Sequence, residues 1–214
     1  MSAGLGGTGR VADDLYLLAH HDVTGKPLLQ PRSLSIGLAG ALLAELMLGG
    51  SLSVSREGAV TAHRTWPADD LARHVRDQIA AESEPHPVGE WLVFLARSTA
   101  WDVARRLEWA GYLRHARSRV PFRSGRWVPV DPDWAFTPVV RVRAALNLDR
   151  PLVSEQTALA GLAIACGLGF RLDQYQIPAD REVHQAAGRL GPGLCWLITQ
   201  TQVAIDSALL SHRT

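Results

Sequence analysis

Lysine is almost missing from this chain: Lys26 is the only one, and the other 21 of its 22 basic residues are arginine. A coding bias toward Arg and Ala accounts for the count. Its chemical consequence is that nearly all positive charge sits on a planar, permanently ionised fork that suits phosphate oxygens and aromatic faces. Cysteine is scarce as well. Cys166 and Cys195 lie in apolar runs without metal-ligand spacing, which excludes a disulfide framework and points to small buried thiols in a reducing compartment. Long apolar runs are lacking too. Ala158–Phe170 is too short to span a bilayer, and Ile36–Leu48 is similar and carries Glu45, whereas a spanning helix needs about 20 apolar residues. Met1–Arg10 is rich in glycine and has no apolar stretch, unlike a secretory signal. The net charge is only +1, so no whole-molecule field draws the chain to nucleic acid or lipid, and any such attraction must come from local clustering. The expectation is a cytoplasmic protein that touches a membrane peripherally.

What remains is a globular composition, with 47% hydrophobic and 20% charged residues over 214 positions. Apolar residues at helical spacing predict helices over Val11–His20, Leu34–Leu48, Ala68–Ala81, Val88–Ala96, Thr99–Ala110, Pro138–Leu146, Ser154–Gly169, Ala179–Gly188 and Pro192–Ser211. Leu52–Ser55 and Ala59–Arg64 alternate around Arg56-Glu57-Gly58 and read as a β-hairpin. Tyr112–Arg119 and Arg126–Val130 flank Pro121-Phe122-Arg123-Ser124-Gly125 and read as a second. The fold class expected is mainly α: a single compact helical domain over residues 11–214 with two small β-hairpins, behind a flexible tail at residues 1–10.

The second hairpin lies in the most asymmetric part of the sequence. Arg97, Arg105, Arg106, Arg114, Arg117, Arg119, Arg123 and Arg126 are opposed only by Asp102 and Glu108. Trp101, Trp109, Tyr112, Phe122 and Trp127 are interleaved with them. Trp101 and Trp109, on a helix, are expected in the core, as large aromatics usually are. Phe122, Arg123, Arg126 and Trp127 are the candidate membrane-contacting tip, with rings in the headgroup layer and guanidinium groups on phosphates.

Catalytic signals are absent. There is no nucleophile elbow, phosphate loop or dinucleotide fingerprint, and the glycines of Gly4–Gly9 follow no strand. The expectation is a binding protein, not an enzyme, with no cofactor. His20-His21-Asp22 invites a metal, but adjacent histidines do not share a helix face and no third ligand stands at useful spacing. Glu45, inside an apolar helix, is either a buried acid with a raised pKa or the partner of a helix end or an arginine. Two alternatives to lipid binding remain. The Thr99–Ala110 helix, Gly111 and the basic hairpin also resemble a winged helix, although Trp101, Val103, Leu107 and Trp109 leave few side chains to read bases, which disfavours a nucleic-acid partner. A non-membrane adaptor or assembly protein, burying the Tyr112–Val130 hairpin between copies as a homo-oligomer, is the other.

Leu15–Lys26 followed by Gly37-Leu38-Ala39-Gly40-Ala41-Leu42-Leu43-Ala44-Glu45-Leu46 resembles the Golgi phosphoprotein 3-like family. That family opens with a leucine-rich helix, an acidic-Gly turn and a Gly-Leu-x-Gly-x-x-Leu-x-Glu-Leu helix. The likeness continues through the first hairpin, the helix with Trp91, Gly111-Tyr112-Leu113, the second hairpin and the apolar helix near Ala158–Phe170. The Arg- and Ala-rich composition is more like a bacterial member. The resemblance implies a mostly helical peripheral membrane protein, and its eukaryotic members bind phosphatidylinositol 4-phosphate and carry glycosyltransferases by their tails. In the family the second hairpin is linked to membrane insertion and self-association. The family's headgroup pocket uses a tryptophan and three basic residues. Here Arg97 matches one basic position, while Gln30 stands for the tryptophan and Ala39 and Ala100 for two arginines. Arg32, Arg105 and Arg106 are the candidates to supply charge beside Arg97, on an anionic phospholipid surface whose lipid the resemblance does not fix.

Overall fold

The computed structural model describes residues 8–67, 69–116, 125–146, 154–173 and 190–211. The expected helix Ala179–Gly188 and the residues Phe122 and Arg123 lie outside the described residues. In chain order the elements are α1 (Val11–Leu18), α2 (Pro31–Leu48), β1 (Leu52–Val54), β2 (Val60–Ala62), α3 (Asp70–Ala81), α4 (Val88–Leu95), α5 (Thr99–Trp109), β3 (Leu113–Ala116), β4 (Arg126–Pro129), α6 (Pro132–Leu146), α7 (Ser154–Ala165), α8 (Gly169–Asp173) and α9 (Pro192–Leu210). The protein is mainly helical, with two separate antiparallel strand pairs. Leu52 pairs with Ala62 in the first, and His115 with Trp127 in the second.

The molecule is organised around α2. Pro31 at its first position has a fixed φ suited to helix entry and lacks an N–H that would go unpaired there. From Ser33 to Leu46 nearly every side chain is buried, because α1, α4, α5, α7 and α9 all pack against it. At 18 residues α2 has the length and hydropathy of a marginal membrane span. It is longer than the apolar run expected from sequence, but it is the central helix of the core. Its small residues explain how five neighbours fit. A Cβ on Gly40 would stand 2.6 Å from Thr201 Oγ1 and 3.3 Å from Leu162 Cδ2, and one on Gly37 would collide with the Cys166 thiol. Helices α7 and α9 can therefore approach α2 closely. Cys166 is buried, which pushes its thiol pKa up to about 12 and leaves it inert.

Helix α1 ends at Leu18 and α2 starts at Pro31, each within three residues of expectation, and two later boundaries differ by more. Helix α6 begins at Pro132, not Pro138, because Asp131 Oδ1 accepts the Asp133 N–H at 2.9 Å and caps the entry. Pro138 lies inside the helix, where it removes the bond its own N–H would have made and its ring crowds the carbonyl one turn earlier. Helix α7 stops at Ala165 because Gly167 turns left-handed (φ 82°), and α8 starts only at Gly169.

The turn Asp22–Gly25 between α1 and α2 is pinned under the second hairpin. Gly25 has φ 62°, and a Cβ there would run into the Trp127 carbonyl. Gly50 also has positive φ (69°) but opens onto empty space. Gly25→Ala should therefore cost about 2–4 kcal/mol, the left-handed penalty plus a backbone clash, against about 1 kcal/mol for Gly50→Ala. Denaturant midpoints of the two variants measure the difference, and equal losses would contradict the contact.

Candidate functional site

Arg32 and Arg97 come together. Arg32 is the second residue of α2, exposed, and Arg97 lies in the turn that ends α4. Between them runs an open groove of about 500 Å³, walled by Pro31, Ile36, Val93 and Ala96 and edged by Ser35. The Arg97 guanidinium also rests 5.6 Å from the centroid of the exposed Phe94 ring. Neither arginine forms an ion pair with an acid among the described residues. Arg105 is likewise exposed and without a carboxylate partner among the described residues, but it stands on α5 and does not line this groove.

Arg106 departs from the sequence expectation. Its side chain is 7% exposed, and its guanidinium is gripped by three carboxylates. Its Nη2 lies 2.7 Å from Asp13 Oδ1, and its Nε donates to the same oxygen at 2.8 Å. Its Nη1 donates to Asp69 Oδ2 at 2.7 Å, and Nη1 and Nη2 reach Glu45 Oε2 and Oε1 at 3.3 and 3.2 Å. Glu45 Oε1 also accepts the Ala12 N–H at the amino end of α1, at 2.7 Å. Asp69 accepts the Ala72 N–H as the N-cap of α3, and Arg10 adds a contact at 3.4 Å. Arg106 is therefore not available to an anion, since all its donor directions are taken. Both sequence readings of Glu45 apply at once: it is a buried acid, and it serves a helix end and an arginine.

The electrostatics follow from burial. Desolvation pushes Glu45 up to about 7, because the attraction of Arg106 offsets only part of it and Asp13 adds repulsion. Desolvation likewise raises Asp13 against the pull of Arg106, and Asp14 against that of Arg141, which it meets at 2.7 Å. At the half-buried Asp69, burial would raise the pKa, but Arg106, the Ala72 N–H and Arg10 together hold it below its ordinary value. Asp13 and Asp14 are each buried, and each clamps an arginine distant in sequence.

His20-His21-Asp22 is occupied piecemeal. His20 stacks on Tyr16 at 4.0 Å, its Nδ1 bonds the Tyr16 carbonyl at 2.6 Å, and burial lowers its pKa to about 4, keeping it neutral. Asp22 pairs with Arg171 at 2.7 Å, and His21 Nδ1 accepts the Val23 and Thr24 N–H groups.

The aromatic expectations are partly reversed. Trp127 is not on an exposed tip: it is half-buried against the core, edge-on to Trp101 at 4.6 Å and to His115 at 5.2 Å. It is held there because Trp101 and the strand partner His115 close over it. Trp101 and Trp109, expected in the core, are 54% and 82% exposed. The helix instead buries Val103, Ala104 and Leu107. Arg126 is exposed, as expected.

With this geometry in place the family is clear. The chain belongs to the Golgi phosphoprotein 3 family: the model of Golgi phosphoprotein 3 (GPP34) matches residues 11–193. No curated protein matches the chain. Membership is consistent with lipid binding at the level of the family.

The Arg106 cluster makes two predictions. Arg106→Met strands the buried Asp13 and Glu45 and the half-buried Asp69 and should cost about 3–5 kcal/mol in urea unfolding, whereas Arg105→Met, one residue away, should change stability by less than about 0.5 kcal/mol. Glu45, raised from 4.5 to about 7, binds its proton more tightly in the folded chain than in the unfolded one. Its contribution therefore falls as pH rises through that window. Glu45→Gln removes the slope, so its stability relative to the parent should improve by on the order of 2 kcal/mol between about pH 5 and about pH 8. A pH-independent difference between the two would contradict the buried carboxylate.

Proposed function

We propose that this protein is a peripheral membrane protein, not an enzyme, that docks on anionic phospholipid through the groove between Arg32 and Arg97. One observation carries the reading: two exposed guanidinium groups edge one open groove and neither has a carboxylate partner among the described residues. Several arginines elsewhere in the fold are neutralised, as Arg10, Arg106, Arg141 and Arg171 are. A pair left open beside apolar walls suits a phosphate with a glycerol or acyl stem behind it.

The groove also suggests which headgroups suit it. Ala39, at the position of a family arginine, is fully buried, and Ala100 brings no charge. Two arginines and Ser35 are enough for one phosphate group. They are sparse for an inositol ring carrying a second phosphate, so a simple anionic glycerophospholipid is the preferred ligand over phosphatidylinositol 4-phosphate. The reading carries with it a cytoplasmic location, and allows self-association through the Tyr112–Val130 hairpin.

The test is sedimentation with phosphatidylcholine vesicles, with and without phosphatidylglycerol. Binding should require the anionic lipid and weaken with added salt. An Arg32→Ser, Arg97→Ser double variant should lose roughly tenfold or more in affinity, at about 1 kcal/mol per basic residue near the surface. Negligible binding to both vesicles, or a salt-sensitive shift of duplex DNA without vesicle binding, would overturn the reading.

A further inference from the structure

The outward face of α5 has no role in the groove just described, yet it is the least expected surface of the molecule. Trp101, Arg105 and Trp109 recur every four residues, so they drift by only about 40° per step and share one face of the helix. Val103 and Leu107 lie about 200° from their even-spaced neighbours, and both are fully buried. The face is therefore fixed outward by the packing behind it. Trp109, at 82% exposure, carries more open apolar surface than a tryptophan ordinarily leaves in water.

We propose that this face of α5 lies flat in the headgroup layer of an anionic membrane, with Trp101 and Trp109 as interfacial anchors on either side of Arg105. The proposal rests on the membrane reading above and adds the surface that supplies its apolar contact.

Three observations favour a lipid surface over other occupants. The face starts beside the groove's edge in the chain: Arg97, in the turn after α4, precedes Trp101 by four residues, and its guanidinium lies over the exposed Phe94 ring. Charge is complementary, since Arg97, Arg105 and Arg126 are exposed without acid partners among the described residues. Of the two acids on α5, Glu108 accepts the His115 N–H and is turned to the hairpin, and Asp102 flanks the stripe and is half-buried. A second copy of the chain fits poorly, because a two-fold contact would bring like arginines together. Tryptophan at a wet boundary, with cations level with the phosphates, is the arrangement an interfacial helix uses.

The test uses the full chain and the same phosphatidylcholine/phosphatidylglycerol vesicles. Trp109→Ser is chosen first, since that side chain is the most exposed of the aromatics and its loss leaves the core intact. The expected result is a loss of at least fivefold in vesicle affinity, deepening to about thirtyfold in Trp101→Ser, Trp109→Ser. Trp101→Phe, Trp109→Phe should restore most of the binding, and light scattering without lipid should give the same mass for all variants. Unchanged binding by both serine variants, while the parent still prefers anionic vesicles, would overturn the α5 anchor and leave the groove reading standing. A fall in mass with vesicle binding intact would show the face to be an interface between copies, and would also overturn it. No vesicle binding by the parent would remove both readings together.

Discussion

The Arg106 guanidinium bridges carboxylates from α1, α2 and the cap of α3, so one buried cation on α5 sets the relative positions of four helices. Such a cluster is expensive to bury, and two of its three carboxylates are held by further contacts. Glu45 has the Ala12 N–H, and Asp69 has the Ala72 N–H and Arg10. At Glu45 desolvation outweighs the attraction of the shared guanidinium and Asp13 adds repulsion, so this carboxyl is pushed up to about 7. The rotation of α5 follows from this grip. With Arg106 turned in toward α1 and α2, Arg105 must point away, and Trp101 and Trp109 go with it.

The consequence is a division of labour among arginines that the net charge conceals. Arg10, Arg106, Arg141 and Arg171 hold acids of the amino-terminal segment or α3 and contribute structure. Arg32, Arg97, Arg105 and Arg126 are left exposed and unpaired among the described residues, toward the groove, the outer face of α5 and the second hairpin. Gly25 matters to this arrangement because it lets the α1–α2 turn reach the Trp127 backbone, tying the hairpin to the end of the chain that carries Asp22 and Asp13. The surface proposed to meet lipid is thus positioned by interactions that lie wholly beneath it.

Among the described residues the helix order, apart from the short α8, and both hairpins were legible in the sequence, because apolar spacing and Gly or Pro punctuation agree along most of them. The family likeness was legible for the same reason: the Gly37 and Gly40 spacing that marks it is the spacing that lets α7 and α9 reach α2. The start of α6 was misread although its signal was present, since Asp131-Pro132-Asp133 is a cap followed by a first-turn proline. The candidate site was only partly legible. Arg32 and Arg97 are far apart in sequence, and nothing local announces that α2 and α4 set them on one groove. Arg105 and Arg106 looked equivalent, although the four-residue spacing of Trp101, Arg105 and Trp109 opposite Val103 and Leu107 already separates them. The general habit of tryptophan to be buried outweighed that periodicity in the sequence reading. The partners of Arg106 are 37 to 93 residues away, beyond the reach of any local pattern.

The central claim is that Arg32, Arg97, Arg105 and Arg126 and the α5 tryptophans form one face that meets lipid. Hydroxyl-radical footprinting of the native chain, with and without phosphatidylglycerol vesicles, tests it most directly. Trp66 is a built-in reference, since it is 64% exposed but sits under Arg76 beside the acidic start of α3. The account predicts that vesicles suppress oxidation of Trp101 and Trp109 and leave Trp66 as reactive as before. Equal oxidation of Trp101 and Trp109 in both conditions, or protection of Trp66 in their place, would contradict it.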